Sequence, residues 1–170
     1  ELRTAHEINH GLEYCFQHEK ISKYLGEDCT SYMEFGVKQG ATAAAACLAN
    51  PKSVTLVDID IRGYNEYKHL FESYCEINNI DLTVLAMSST DVPPRPVDVL
   101  LIDSMHEPYH LQKELNIHAP NVFKYIIVHD TNVQRSLFHC LENYVSSNPK
   151  NWEIIEDERS HFGHAVIKRK

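Results

Sequence analysis

No stretch of the 170 residues approaches the roughly 20 consecutive apolar residues that a membrane-spanning helix needs, which excludes insertion by such a helix. Cations are in deficit, 16 Lys and Arg against 24 Asp and Glu for a formal charge of −8. A broad, sequence-independent grip on nucleic acid is therefore disfavoured, and the only basic tip is Lys168-Arg169-Lys170. Cysteine is scarce and scattered: Cys15, Cys29, Cys47, Cys75 and Cys140 form no C-x-x-C pair. That argues against a disulfide framework or a cysteine zinc site and for small buried hydrophobes in a reducing compartment. Glycine is sparse too, six in all, and the G-x-G-x-x-G dinucleotide fingerprint is missing. The sequence opens Glu1-Leu2-Arg3-Thr4 without a charged-then-apolar leader, so the expected location is the cytoplasm.

What is present is an ordinary globular composition, 43% hydrophobic and 24% charged. At this length about 70% of the unfolded surface can be buried, so one domain over 1–170 needs neither a metal nor a disulfide to stay folded. Residues Ala5 to Leu25 carry Ile8, Leu12, Cys15, Phe16 and Tyr24 at helical spacing, an amphipathic N-terminal helix within residues 1–30. Its apolar face could pack on a second copy to give a homodimer. From Ser31 the pattern changes: Ser31 to Phe35 reads as a strand, Gly36 to Gly40 as a glycine turn, and the alanine-rich run after Ala41 as a helix. Val54 to Asp58 and Leu82 to Ala86 are short strands around a helix ending near Asn78. Three prolines between Asp91 and Pro96 exclude regular structure before the nearly all-apolar strand Val97 to Ile102. A helix over Pro108 to His118, a strand over Tyr125 to Val128 and a helix over Asn132 to Val145 follow. Trp152 to Glu156 and Phe162 to Ile167 stand too close together for a helical crossover and read as an antiparallel hairpin. Five βα units and a terminal hairpin describe an α/β, Rossmann-like, doubly wound and mostly parallel sheet.

Ligands of such sheets bind beyond the carboxyl ends of the strands, near the switch in strand order. Gly36 lets the first strand pass close to a ligand, and Gly40 opens a helix whose free N–H groups suit an anionic group. Asp58 ends the second strand 22 residues beyond Gly36, the separation at which an acid takes ribose hydroxyls. Together they point to a nucleoside-type cofactor. Val37-Lys38 occupy the place of a second glycine, which counts against a dinucleotide.

The runs S-Y-M-E-F-G-V-K-Q-G-A-T, T-L-V-D-I-D, V-D-V-L-L-I-D-S-M-H-E-P-Y-H and Y-I-I-V-H-D-T-N, with the closing hairpin, resemble class I S-adenosylmethionine-dependent methyltransferases over residues 31–170. The nearest likeness is to the branch of macrolide-sugar O-methyltransferases and cephalosporin-hydroxylase-like proteins, with catechol O-methyltransferase more distant. The resemblance implies that the Gly36–Gly40 loop, with Glu34 at its base, meets the methionine part of the cofactor. Asp58 would then take the ribose, Ser88 and Ser89 the adenine, and Asp103 would border the cofactor. It implies further that Asp103 and Asp130 hold a divalent cation against the acceptor oxygen, which as hard ligands they would do for Mg²⁺. His129 stands where the sugar enzymes carry a glutamate, and as a third ligand it would tilt the site towards Mn²⁺. His106, three residues beyond Asp103, falls where the related enzymes place their proton acceptor. The function so implied is O-methylation of a small hydroxylated acceptor, sugar or phenol-like. Two alternatives remain open at this point, a non-catalytic S-adenosylmethionine-binding module and an NAD-linked oxidoreductase on the same scaffold.

Overall fold

The computed structural model describes residues 20–26 and 28–170. The N-terminal amphipathic helix, and the dimer it could support, lie outside the described residues except for its last turn, where 20–22 are helical and Lys23–Leu25 form a 3-10 turn. The strands are β1 (Ser31–Phe35), β2 (Ser53–Asp58), β3 (Asp81–Ala86), β4 (Val97–Ile102), β5 (Val122–His129), β6 (Trp152–Glu158) and β7 (His164–Arg169). The helices are α1 (Ala41–Leu48), α2 (Arg62–Asn78), α3 (Pro108–His118) and α4 (Arg135–Ser147). None of these helices is long and apolar enough to cross a membrane.

One seven-stranded sheet runs in the order β3-β2-β1-β4-β5-β7-β6. Strands β1 to β5 are parallel neighbours, whereas β7 runs antiparallel to both β5 and β6. The hairpin expected from the sequence is thus present, but its second strand, not its first, docks on the parallel sheet. Only four of the five parallel strands lead into an α-helix, which corrects the count of five βα units. The β3–β4 connection has just a 3-10 turn at Ser89–Asp91, because the prolines that follow can neither donate nor leave their fixed φ.

The sheet is covered on both faces, which explains why β4 is buried at all six positions and is apolar at every one but Asp98, whose carboxylate accepts from Thr30 and Ser31. Alternate residues serve opposite layers. Tyr32, Val54, Leu56, Val99 and Leu101 pack under α1 and α2, and Met33, Phe35, Val57, Leu100 and Ile102 pack under α3 and α4. The alanines of α1 let that helix lie close on the sheet. The four described cysteines are all buried and unbridged, as small core residues should be.

Candidate active site

The order of the sheet reverses between β1 and β4, and the ends of these two strands touch. Gly36 leaves β1 at φ +89°, and a Cβ there would lie 2.0 Å from the Asp103 carbonyl oxygen at the end of β4. Only glycine fits, because the position combines left-handed backbone with a backbone wall. The chain then turns through Lys38 and Gly40 (φ +84°) into α1, and a Cβ on Gly40 would strike the Phe71 ring of α2 at 2.7 Å. Asp58, at the end of β2, holds this turn. Its Oδ2 accepts from the Val37 and Lys38 amides at 2.7 and 3.0 Å, and its Oδ1 accepts from the Asp60 amide at 2.9 Å. Each carboxylate oxygen has room for a second donor, so Oδ1 can take a ligand hydroxyl while the turn stays tied.

These strand ends enclose a cavity of about 380 Å³ lined by Gly36, Asp58, Ser88, Ser89, Asp103 and His110, among others. Ser88 caps the 3-10 turn, its Oγ 2.9 Å from Thr90 Oγ1. Ser89 is buried and turns its hydroxyl inward. It donates to Glu114 Oε1, lies 3.1 Å from His110 Nε2, and its carbonyl oxygen lies 2.9 Å from His118 Nε2. Ser104 donates to the same Glu114 oxygen at 2.6 Å. Burial pushes the Glu114 carboxyl up from its ordinary range, against the pull of the two serines. Its other oxygen, Oε2, is buried without a hydrogen-bond partner. Sequence reasoning overlooked this group. The available signal was the spacing Leu111, Glu114, Leu115, His118, which places an acid and an imidazole on the core-facing stripe of α3.

Glu34, also on β1, points to the α1 side beneath the glycine turn. It is 1% exposed and accepts from the Tyr32 hydroxyl at 2.7 Å. Burial raises its carboxyl to about 8, with the Tyr32 bond working against the rise and the neighbouring Asp103 adding to it. At neutral pH this side chain is chiefly a neutral acid.

Asp103 joins the cavity to a second cluster at the ends of β4 and β5. The His106 Nε2 sits 3.3 Å from Asp103 Oδ1 and 3.0 Å from Asp130 Oδ2, while His129 Nδ1 sits 3.5 Å from Asp103 Oδ1 and 3.1 Å from Asp130 Oδ1. Two imidazoles and two carboxylates thus alternate around one point. Asp130 reaches it from a left-handed backbone (φ +59°) immediately after β5. Burial alone would raise Asp103, but the hydrogen bonds and charge of His106 and His129 hold it at about 2. Burial likewise disfavours a charged His129, yet the two carboxylates drive it to about 10. The hydrogen bond to Asp103 raises His106 against its partial burial, and the Asp130 charge adds to it. Asp103, His129 and Asp130 are the one group among the described residues with three metal-type donors within 4.8 Å of one another.

The structure therefore gathers Gly36, Asp58, Ser88, Ser89 and Asp103 around one cavity, and brings His106, His129 and Asp130 together on Asp103; Gly40 does not line the cavity and lies against Phe71 at the start of α1. Glu34 lies beneath the turn.

No protein-family model matches the chain. Among solved structures it superposes on a magnesium protoporphyrin IX methyltransferase from Synechocystis with S-adenosylmethionine bound, at a TM-score of 0.69 and 11% identity over 92% of this chain and 79% of that one. A Staphylococcus aureus protein assigned as a caffeoyl-CoA O-methyltransferase gives a TM-score of 0.68 and 13% identity over 99% and 90% of the two chains. A ribosomal protein L11 methylase from Lactobacillus delbrueckii gives 0.64 and 18% over 94% and 80%. The fold is the Rossmann-like methyltransferase fold. At these identities the likeness concerns the course of the backbone, and the chemistry rests on the side chains at the strand ends.

Proposed function

We propose that the chain is an S-adenosylmethionine-dependent methyltransferase that acts on a hydroxyl of a small molecule, sugar or phenol-like. The observation that carries this reading is the sharing of Asp103 between a nucleoside-sized cavity at the sheet's switch point and a histidine–carboxylate cluster at its rim. When bound, S-adenosylmethionine supplies a methyl group on a sulfonium, which already carries its own leaving group. The chain then has to hold the cofactor, align an oxygen and remove a proton. Asp58 Oδ1 would accept from the ribose, and the Gly36–Gly40 turn would border the methionine part without side chains to obstruct it.

His106 would take the acceptor's proton. Its Nε2–H faces the Asp103 and Asp130 carboxylates, which leaves Nδ1 to accept the proton and the two carboxylates to stabilise the resulting imidazolium. A neighbouring carboxylate that fixes a tautomer and supports the charged ring is how a histidine base is ordinarily oriented. The donor types and spacing of Asp103, Asp130 and His129 suit a divalent cation that takes the place of the His129 proton, and the neutral imidazole so formed would favour Mn²⁺ over Mg²⁺. Such an ion would act as a Lewis acid that lowers the pKa of the acceptor hydroxyl.

Isothermal titration with S-adenosylmethionine and S-adenosylhomocysteine, with and without Mg²⁺ and Mn²⁺, tests the reading, followed by a screen of sugars and phenols for transfer of a labelled methyl group. Micromolar binding and labelled product are expected. No binding of either ligand under any condition would refute the proposal, and binding without transfer to any hydroxylated acceptor would favour a non-catalytic binding module.

A further inference from the structure

The buried group behind the cavity wall settles which way one imidazole presents its lone pair. Ser89 and Ser104 both donate to Glu114 Oε1. A serine hydroxyl has one hydrogen, so with that hydrogen given to Glu114, Ser89 Oγ can only accept from His110 Nε2, 3.1 Å away. Glu114 Oε1, 3.3 Å from the same nitrogen, is a second acceptor on that side. Nε2 therefore carries the proton, and in the neutral ring Nδ1 is an acceptor. His110 lines the cavity, and Nδ1 has no partner among the described residues. The cavity wall here comes from the 3-10 turn after β3 and the first turn of α3.

We propose that His110 reads the base of the nucleoside cofactor: its Nδ1 accepts a hydrogen bond from the exocyclic amino group of adenine, so the pocket selects a 6-amino purine over a 6-keto purine. Ser89, Ser104 and Glu114 are positioning residues that fix the tautomer. A 6-keto base would set its own oxygen against the Nδ1 lone pair and find no donor. The inference rests on the cofactor reading above and adds to it the element that discriminates the base.

The test compares S-adenosylhomocysteine with its hypoxanthine counterpart by isothermal titration, on the wild type, His110→Phe and Ser89→Ala. The wild type is expected to prefer the adenine compound by at least about tenfold, the worth of a hydrogen bond exchanged for an opposed pair of acceptors. His110→Phe keeps a ring in the wall and should bring the ratio to within about twofold. Ser89→Ala leaves the ring but removes one of the two acceptors that hold its Nε2–H, and should give an intermediate ratio. A purely structural role for His110 would weaken both ligands alike and leave their ratio unchanged. The ¹⁵N shifts of the His110 ring in the unliganded protein should show the Nε2–H tautomer, and they decide the matter together with Ser89→Ala if melting shows that His110→Phe does not fold. Equal affinity of the wild type for the two compounds, a preference that survives in His110→Phe, or an Nδ1–H tautomer would overturn the inference while leaving the cofactor reading intact. Failure of the wild type to bind either compound would refute the cofactor reading and the inference with it.

Discussion

Replacing Gly36 by alanine probes the contact on which the whole site is built. The added Cβ would lie 2.0 Å from the Asp103 carbonyl oxygen, 2.4 Å from its carbon and 2.9 Å from Ser104 Cα, all backbone atoms at the end of a central strand. No side chain can swing aside, so β1 and β4 must part where Asp103 N donates to Phe35 O at 2.8 Å. Forcing an L-residue into a left-handed backbone costs about 1–2 kcal/mol, and overpacking adds about 1–3 kcal/mol. The lower entropy of the unfolded alanine chain returns about 0.4–1 kcal/mol. A net loss of about 1–4.6 kcal/mol, at about 2–4 °C per kcal/mol for a chain of this size, should lower Tm by roughly 2–18 °C. Gly26→Ala is the control. Among the described residues its Cβ would meet nothing closer than the Lys23 carbonyl oxygen at 3.9 Å, and its φ of −58° suits alanine. It should be neutral or slightly stabilising. Thermal melts followed by circular dichroism decide: a Gly36→Ala protein melting within about 2 °C of wild type would show that the two strand ends do not meet as described.

Other expectations concern protons. His106 has its pKa raised by Asp103 and Asp130, and only the deprotonated ring can act as base, so kcat/KM should rise with pH through an inflection above the ordinary histidine value of about 6.5. Asp130→Asn should move that inflection down, and an inflection that stays put would dissociate the two residues. His129, at about 10 when folded, gives stability that is complete below its unfolded value of about 6.5 and is lost as pH rises through 10. Tm measured from pH 6.5 to 10 should therefore fall, and the fall should be smaller in His129→Ala. Glu34, raised to about 8, works in a lower window: the folded state keeps a proton that the unfolded state gives up, so stability declines from about pH 4.5 to 8. Glu34→Gln, which can still accept from Tyr32, should melt higher than wild type at pH 8.5 and about equally at pH 4.5; no gain at the higher pH would refute a neutral Glu34.

The residues that end the parallel strands were legible because a strand buried on both faces is mostly apolar, and the acid or imidazole that follows its last apolar run marks the exit. Asp58, Asp103 and the pair His129-Asp130 all stand at such exits. The long α2 showed its period, and the proline run before β4 showed its irregularity. By contrast, β5 begins at Val122, three residues before the expected start, because Phe123 and Lys124 project at the open lower rim where no apolar pattern is needed. Glu114 escaped notice for a different reason. An acid in a helix is ordinarily a solvated residue, and its burial depends on two serines that lie 25 and 10 positions away in sequence and meet it only in the fold. Sequence periodicity records which face of an element is covered, and it does not record which distant hydroxyl covers it.

The place of β7 bears on how the protein is made. It pairs with β5 on one side and β6 on the other, although β6 precedes it in the chain. During synthesis β6 therefore emerges with no strand to join, and the flank of β5, which carries Ile126, Ile127 and Val128, stays open until residues 164–169 have left the ribosome. An unfilled slot between two ready strand edges is a place where a foreign strand can add, so the interval before β7 arrives is when the nascent chain is most exposed to misassembly and to the attention of chaperones.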